Sequence, residues 1–345
     1  MKPALRILYV GPLRAGETCA QRLGALRELG CEVWPVDTCP PGIQARQATL
    51  TYRIYRKLIG PADLADANRA MLELARRESI DVVWIDKGLT IEAATFREIK
   101  ALQPGCRLVG YSPDDMNGSH NQSRQFLEHL PLYDVFFTTK SFGVGELAAM
   151  GCRRVEFVGN AFDPATHRPL PVTAKHRQAL GGPVGFIGHW EPRRPAALAQ
   201  LTRHDVPVRV WGKRWERCRH RDPNLRLEHS PLWGDDYARA ICAFDINLGF
   251  LSKRNRDLST QRSVEIPACG GFLLAERTPE HQQLFEENDE AVFFDSGEEL
   301  RDKTRFYLAH PTVRGRIAAA GRARCLKSRY RNQDRLAWML QRLAP

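Results

Sequence analysis

Residues 249–285 read GFLSKRNRDLSTQRSVEIPACGGFLLAERTPEHQQLF. The segment leaves an apolar run, Phe244–Phe250, and crosses a polar loop rich in cations. It enters a helix that is expected to begin after Asp257 and to stop at Ala268-Cys269-Gly270-Gly271, where glycine can end it. A second apolar run, Phe272–Arg277, follows. Its FLLA core is continuously apolar rather than alternating, which suits a strand buried on both faces of a parallel sheet. The unit is therefore strand, helix, strand.

The same unit recurs in both directions. Strands are expected at Leu5–Gly11, Cys31–Asp37, Asp81–Lys87, Arg107–Pro113, Asp134–Lys140 and Arg154–Asn160, then at Pro183–His189, Pro207–Lys213, Leu225–Ser230, Phe244–Phe250, Phe272–Arg277 and Ala291–Ser296. Between the first two, Cys19, Leu23, Leu26 and Leu29 recur at helical spacing and Gly30 is placed to stop the helix. Alternating strands and helices in two sets of six predict α/β architecture with two Rossmann-like doubly wound domains, and 345 residues suit two. The expected divisions are an N-terminal domain over 1–162, a proline-rich linker over 163–182, a second domain over 183–328 and a closing helix over 329–345 that crosses back to the first domain. Leu336, Met339, Leu340 and Leu343 line one face of that helix.

Composition is ordinary for a globular chain, with 43% hydrophobic and 26% charged residues. No segment has the roughly 20 apolar residues of a membrane span. The apolar run in MKPALRILYVG is too short for a signal-peptide core and reads as the first strand, so a cytoplasmic location is expected. A formal net charge of +11 draws the chain toward anions: phosphorylated ligands, nucleic acid or acidic headgroups. The basic residues are dispersed, which favours a diffuse positive face, for peripheral contact with an anionic membrane or for nucleotide ligands, over a dedicated nucleic-acid arm. Nine scattered cysteines include no C-x-x-C pair and read as reduced thiols, with no metal site.

In open α/β sheets, ligands bind beyond the carboxyl ends of the strands. The first strand ends in GPLRAG (11–16), where Gly11 suits either an anion-binding turn or a tight turn alone. The fourth ends in YSPDDMNGSHNQSRQF (111–126); Asp114, Asp115 and His120 are candidates for a general base, or are loop residues and caps. The seventh ends in GHWEPRRP (188–195). Gly188 there allows close backbone approach, and Arg193 and Arg194 suit phosphate binding or a solvated surface. Lys253, Arg254, Arg256 and Arg262 form the kind of clamp a diphosphate needs. Glu265, between Val264 and Ile266, is a carboxylate in an apolar setting that needs a partner. It suits the two hydroxyls of a ribose, with the Gly270-Gly271 backbone close to the ligand.

YSPDDM with HNQSRQFL, YDVFFTTKSF, NAFDPATHRP, GFIGHWEPRR, GFLSKRNRD, TQRSVEIPACGGFLLAERTPEHQQLF and HPTVRGRIAAAGRARCLKSR together resemble the CgeB-like, spore-maturation-type glycosyltransferases, and more broadly GT-B enzymes with a Glu-x(7)-Glu motif. The resemblance covers about residues 107–330 and is most specific in SVEIPACGGFLLAERTPEH. It implies a GT-B fold, two Rossmann-like domains facing each other across a cleft, with a nucleotide-sugar donor in the C-terminal domain and a glycan or glycolipid acceptor in the N-terminal one. The ribose-binding glutamate maps onto Glu265, and Asp257 stands where the broader motif has its first glutamate. YSPDD replaces the catalytic histidine loop of the broader group. The implied reaction transfers a sugar to an acceptor hydroxyl without metal or cofactor, the nucleotide-sugar being a substrate and the cations neutralising the departing diphosphate. Two rival readings are a GT-B-like nucleotide-sugar epimerase and a non-catalytic protein that binds nucleic acid or another anionic polymer; no specific nucleic acid is expected as a partner, because no nucleic-acid module is present.

Overall fold

The computed structural model describes residues 4–343. The remaining positions, at the outer edges of the expected first domain and closing helix, lie outside the described residues. The strands are β1 (Arg6–Gly11), β2 (Glu32–Asp37), β3 (Val82–Asp86), β4 (Arg107–Ser112), β5 (Val135–Thr138) and β6 (Val155–Phe157), then β7 (Gly182–Ile187), β8 (Val208–Trp211), β9 (Leu225–Leu227), β10 (Phe244–Gly249), β11 (Leu273–Glu276) and β12 (Val292–Phe294). Each of the twelve apolar runs is a strand. They form two six-stranded sheets, ordered β2-β1-β3-β4-β5-β6 and β12-β11-β10-β7-β8-β9, with every strand pairing parallel.

The continuous apolar runs have a simple cause. Successive side chains of a strand point to opposite faces, and both faces are covered. Leu8, Val10, Val83 and Ile85 enter one core, whereas Ile7, Tyr9, Val82 and Trp84 enter another on the reverse face. In the second sheet Phe186, Ile246, Leu248 and Leu274 face one core and Leu273, Ala275 and Phe293 the other.

The chain divides into two compact units, Met1–Gly159 with Asn332–Pro345, and Asn160–Arg331. The closing helix, Asn332–Gln341, belongs to the first unit. Leu336 and Met339 complete the core face of Ile7 and Trp84, and Trp338 meets Phe137 edge-on at 6.2 Å.

Segment 163–182 is not the open linker expected from its prolines. It is folded into the second unit: Asp163 and His167 are buried, Leu170 packs on a core cluster, and Ala174–Leu180 is helical. The prolines mark irregular backbone, but the side chains between them are held by burial. The nine cysteines are free thiols; burial pushes those of Cys106 and Cys152 up to about 11. No helix among the described residues is long and apolar enough to cross a membrane.

Candidate functional site

In the second unit the strand order reverses between β7 and β10, the switch point where open sheets leave a crevice at their carboxyl ends. A cavity of about 1000 Å³ lies there. Its wall is built by the segments that follow β7 (His189 to Arg194), β10 (Phe250 to Arg254), β11 (Glu276, Arg277) and β12 (Phe294 to Gly297), joined by Arg214 and Arg217 from beyond β8.

The cations around it are of two kinds. Arg277 is bound by Glu287 at 2.7 Å, Glu299 at 2.8 Å and Asp295, which holds its guanidinium well above its ordinary range and the Glu299 carboxyl down at about 2. Lys253 pairs with Glu276, whose other oxygen accepts the Leu251 N–H at 2.9 Å. Arg193, Arg214, Arg217 and Arg254 have no ion-pair partner among the described residues, and Arg217 lies over the Trp190 ring at 5.7 Å.

Arg194 is the most constrained of the set. It is buried, pairs with Glu191 at 3.1 Å and donates to the His189 carbonyl. Its guanidinium lies 5.2 Å from the Phe186 ring centroid, and that of Arg262 lies 5.9 Å from the same ring. The Nε–H groups of both arginines are buried and lack a hydrogen-bond partner among the described residues. Burial, then the neighbouring Arg262 charge, pushes Arg194 down to about 10. Burial and the same Arg262 also lower the His189 imidazole. Two guanidiniums share one aromatic ring, and although Glu191, Glu276 and Asp257 act on Arg194, burial and the Arg262 charge outweigh them. The pair suits an anion, whose charged oxygens are the stronger hydrogen-bond acceptors.

Of the residues expected at this site, Arg193 and Lys253 line the cavity, and Arg262 stands beside Arg194. Gly188 has a packing role: a Cβ there would come 2.6 Å from the Phe186 ring. Its carbonyl accepts from the Trp215 indole at 2.8 Å.

Gly270 and Gly271 are not at the cavity. They precede β11, whereas the cavity touches Glu276 and Arg277 at its other end. Gly270 ends the helix with φ +76, and a Cβ on Gly271 would meet Ile241 Cγ2 at 2.6 Å and Asn247 Nδ2 at 2.9 Å. Helix termination and close packing select these glycines.

The helix carrying Glu265 also starts later than expected, at Gln261. Asp257 instead closes the preceding loop: its N–H donates to the Ser252 carbonyl (2.9 Å) and its Oδ2 accepts the Ser252 N–H (3.3 Å). Ser259 is pinned to Glu280 at 2.5 Å, so the loop is fixed before the helix opens. Glu265 does have the partners its apolar setting demands. Tyr237 donates its hydroxyl at 2.6 Å, and His167 Nε2 lies 3.5 Å from the other oxygen. The backbone N–H of Asp163 donates to His167 Nδ1 at 2.9 Å, so the neutral ring carries its proton on Nε2, toward Glu265.

In the first unit Gly11 has a packing role. A Cβ there would come 3.0 Å from Asp86 Cβ. Asp86 is buried, pairs with Arg22 at 3.1 Å and accepts from Tyr9. The Leu13 N–H, in the same turn, already donates to Asp37 at 3.0 Å.

Asp114, Asp115 and His120 do converge beyond β4. Lys87, at the end of β3 with φ +66, donates to Asp114 at 2.5 Å and to Asn121 Oδ1 at 3.1 Å. The Asn121 amide reaches the Asp115 carbonyl at 3.0 Å and His120 Nε2 at 3.2 Å. Asp115 is buried, and its Oδ1 accepts the Asn117 N–H at 3.1 Å. Lys87, His167, Tyr237, Arg214 and Arg217 are absent from the sequence-level candidates. Lys87 and Arg214 each sit just past a strand end and could have been found by the rule that found the others.

Residues 193–341 match the family model described as "Glycosyl transferase-like". No curated protein matches the chain. The structure is similar to Anabaena HepE in complex with UDP and glucose, with a TM-score of 0.63 and 13% identity over 98% of this chain and 99% of that one. It is also similar to sucrose-phosphate synthase from Thermosynechococcus elongatus, with a TM-score of 0.65 and 11% identity over 98% and 99%. A putative UDP-N-acetylglucosamine 2-epimerase from Listeria monocytogenes gives a TM-score of 0.53 and 13% identity over 96% and 98%. The fold is GT-B. Within a chain of that fold, residues 193–341 are similar to glycosyltransferase-like domains.

Proposed function

We propose that the protein transfers a sugar from a nucleoside-diphosphate donor to an acceptor hydroxyl of a glycan or glycolipid, independently of metal, and that it belongs with the CgeB-like enzymes its sequence resembles. The observation that carries this reading is the Arg194–Arg262 pair on Phe186, with two buried unpartnered Nε–H donors, of which Arg194 lines the switch-point cavity.

The donor diphosphate lies against Arg193, Arg194, Arg262 and Lys253. As the bond from the anomeric carbon to the β-phosphate oxygen breaks, its electrons pass to that oxygen, where the fixed cations meet the developing charge. The acceptor oxygen forms the new bond and gives its proton to a base drawn from Asp114, Asp115 and His120. Glu265 accepts the ribose hydroxyls. Its carboxylate offers about four acceptor positions, of which Tyr237 takes one while His167 lies 3.5 Å from the other oxygen. Asp257, fixed by its loop, meets the sugar.

The test is calorimetric titration with UDP, GDP, TDP, CDP and ADP, repeated on Glu265→Gln, with activity in EDTA as the check on metal. UDP comes first, since HepE was crystallised with it. One diphosphate is expected to bind tightly and to weaken by roughly 10- to 150-fold in the variant, the worth of one charge-assisted contact. A folded sample that binds none of the five overturns the reading. Release of free nucleoside diphosphate together with a glycoside separates transfer from epimerisation.

A further inference from the structure

The helix Leu50–Leu58, LTYRIYRKL, in the first unit buries none of its residues. Leu50, Ile54 and Leu58 are 69%, 51% and 77% exposed, and Ile59 just beyond is 67% exposed. Spaced four apart, the first three lie within a narrow stripe along one side of the helix. Arg53 and Lys57 flank the stripe on one side, Thr51 and Tyr55 on the other. The opposite side faces the protein, where Tyr52 accepts the Ala62 N–H at 3.4 Å. A nine-residue helix is marginal in water by itself, and an apolar stripe left in solvent marks a surface that is covered by something else.

The charge around the stripe identifies the cover. Residues 38–62 contain Arg46, Arg53, Arg56 and Lys57 and no acidic residue. All four cations are exposed, and none has a carboxylate partner among the described residues. A recess of about 370 Å³, lined by Arg46, Thr49, Thr51, Tyr52, Tyr55 and Leu64, opens beside the stripe. Apolar side chains at the centre, tyrosines at the rim and cations around them are what a helix lying in a headgroup layer presents.

We propose that this helix docks the protein on an anionic lipid bilayer. Leu50, Ile54 and Leu58 enter the acyl boundary, Arg53, Arg56 and Lys57 pair with headgroups, and the Arg46 recess receives one headgroup phosphate.

Flotation of the full chain with vesicles tests this, using phosphatidylcholine alone and an equal mixture with phosphatidylglycerol, at low and high salt. The chain is expected to float with the anionic vesicles at low salt and to be released by salt. Arg53→Gln/Lys57→Gln should weaken binding by roughly 30-fold, since each basic residue near an anionic surface contributes about fivefold. Ile54→Asp/Leu58→Asp should abolish it while keeping the parent's circular dichroism and thermal unfolding, which shows that both units are folded. Failure of the parent chain to float, or equal flotation of the Ile54→Asp/Leu58→Asp variant, overturns the proposal. A concentration-dependent dimer in sedimentation that this variant loses, without vesicle binding, also overturns it and assigns the stripe to a second copy of the chain.

Discussion

Replacing Arg262 with methionine should make the empty protein no less stable while weakening its hold on nucleoside diphosphate. The 5.2 and 5.9 Å distances to the Phe186 centroid bound the separation of the Arg194 and Arg262 guanidinium carbons at about 11 Å. At an effective dielectric of about 20, two like charges that far apart repel by roughly 1.5 kcal/mol, and by more if closer. Removing Arg262 relieves that repulsion and deletes a buried Nε–H without a partner. It also loses a cation–π contact of about 0.5–1 kcal/mol, and the methionine keeps most of the stem packing. The balance lies between zero and about 1 kcal/mol in favour of the variant, or up to about 2–4 °C in Tm for a unit of this size. With ligand the sign reverses: loss of one charge-assisted hydrogen bond costs roughly 1.5–3 kcal/mol, a 10- to 150-fold rise in Kd. Thermal unfolding with and without the diphosphate that binds tightest reads both signs in one experiment. A lower Tm for the empty variant with unchanged diphosphate affinity would refute the reasoning and make Arg262 a structural residue.

Gly271→Ala is expected to destabilise the fold by about 1–3 kcal/mol, because the added methyl presses on Ile241 and on Asn247, which donates to the Ile241 carbonyl at 3.1 Å; diphosphate affinity measured by calorimetry should not change. Acid should weaken the protein between pH 6.5 and about 4. Burial holds the His129 imidazole down at about 4, so the folded state binds fewer protons than the unfolded chain throughout that window. Its contribution is intact above the unfolded value of about 6.5 and falls by about 3 kcal/mol as pH drops to the folded value. Urea unfolding across this range should show a flatter acid limb for His129→Gln than for the parent.

The sheets were legible in the sequence because burial on both faces leaves an unbroken apolar run, and none of the twelve runs is anything but a strand. The cationic loop residues were legible because strand ends at a switch point carry ligands whatever the family. Other features depend on tertiary partners. Nothing local distinguishes a glycine that admits a ligand from Gly271, whose neighbours Ile241 and Asn247 come from a helix and a strand more than twenty residues earlier. The first turn of the Glu265 helix could not be placed by composition, since Asp257, Ser259 and Thr260 are all acceptable caps. Glu280 and Asn160 claim Ser259, and only Thr260 remains for the helix start. The helix Leu50–Leu58 escaped notice because its apolar stripe serves no core.

The chain returns to its first unit at Asn332, and the core face of Ile7, Trp84 and Phe137 is closed by Leu336, Met339 and Trp338. Synthesis therefore inverts the usual order of domain maturation. The second unit, continuous from Asn160 to Arg331, has all its parts first. At about 5–20 residues per second, the first unit waits roughly 10–35 s with an apolar sheet face only partly covered, by Cys19, Leu23 and Leu26. Nascent chains of this protein thus carry a timed demand for chaperone cover, and a ribosome stalled anywhere in the second unit leaves behind an incomplete first one.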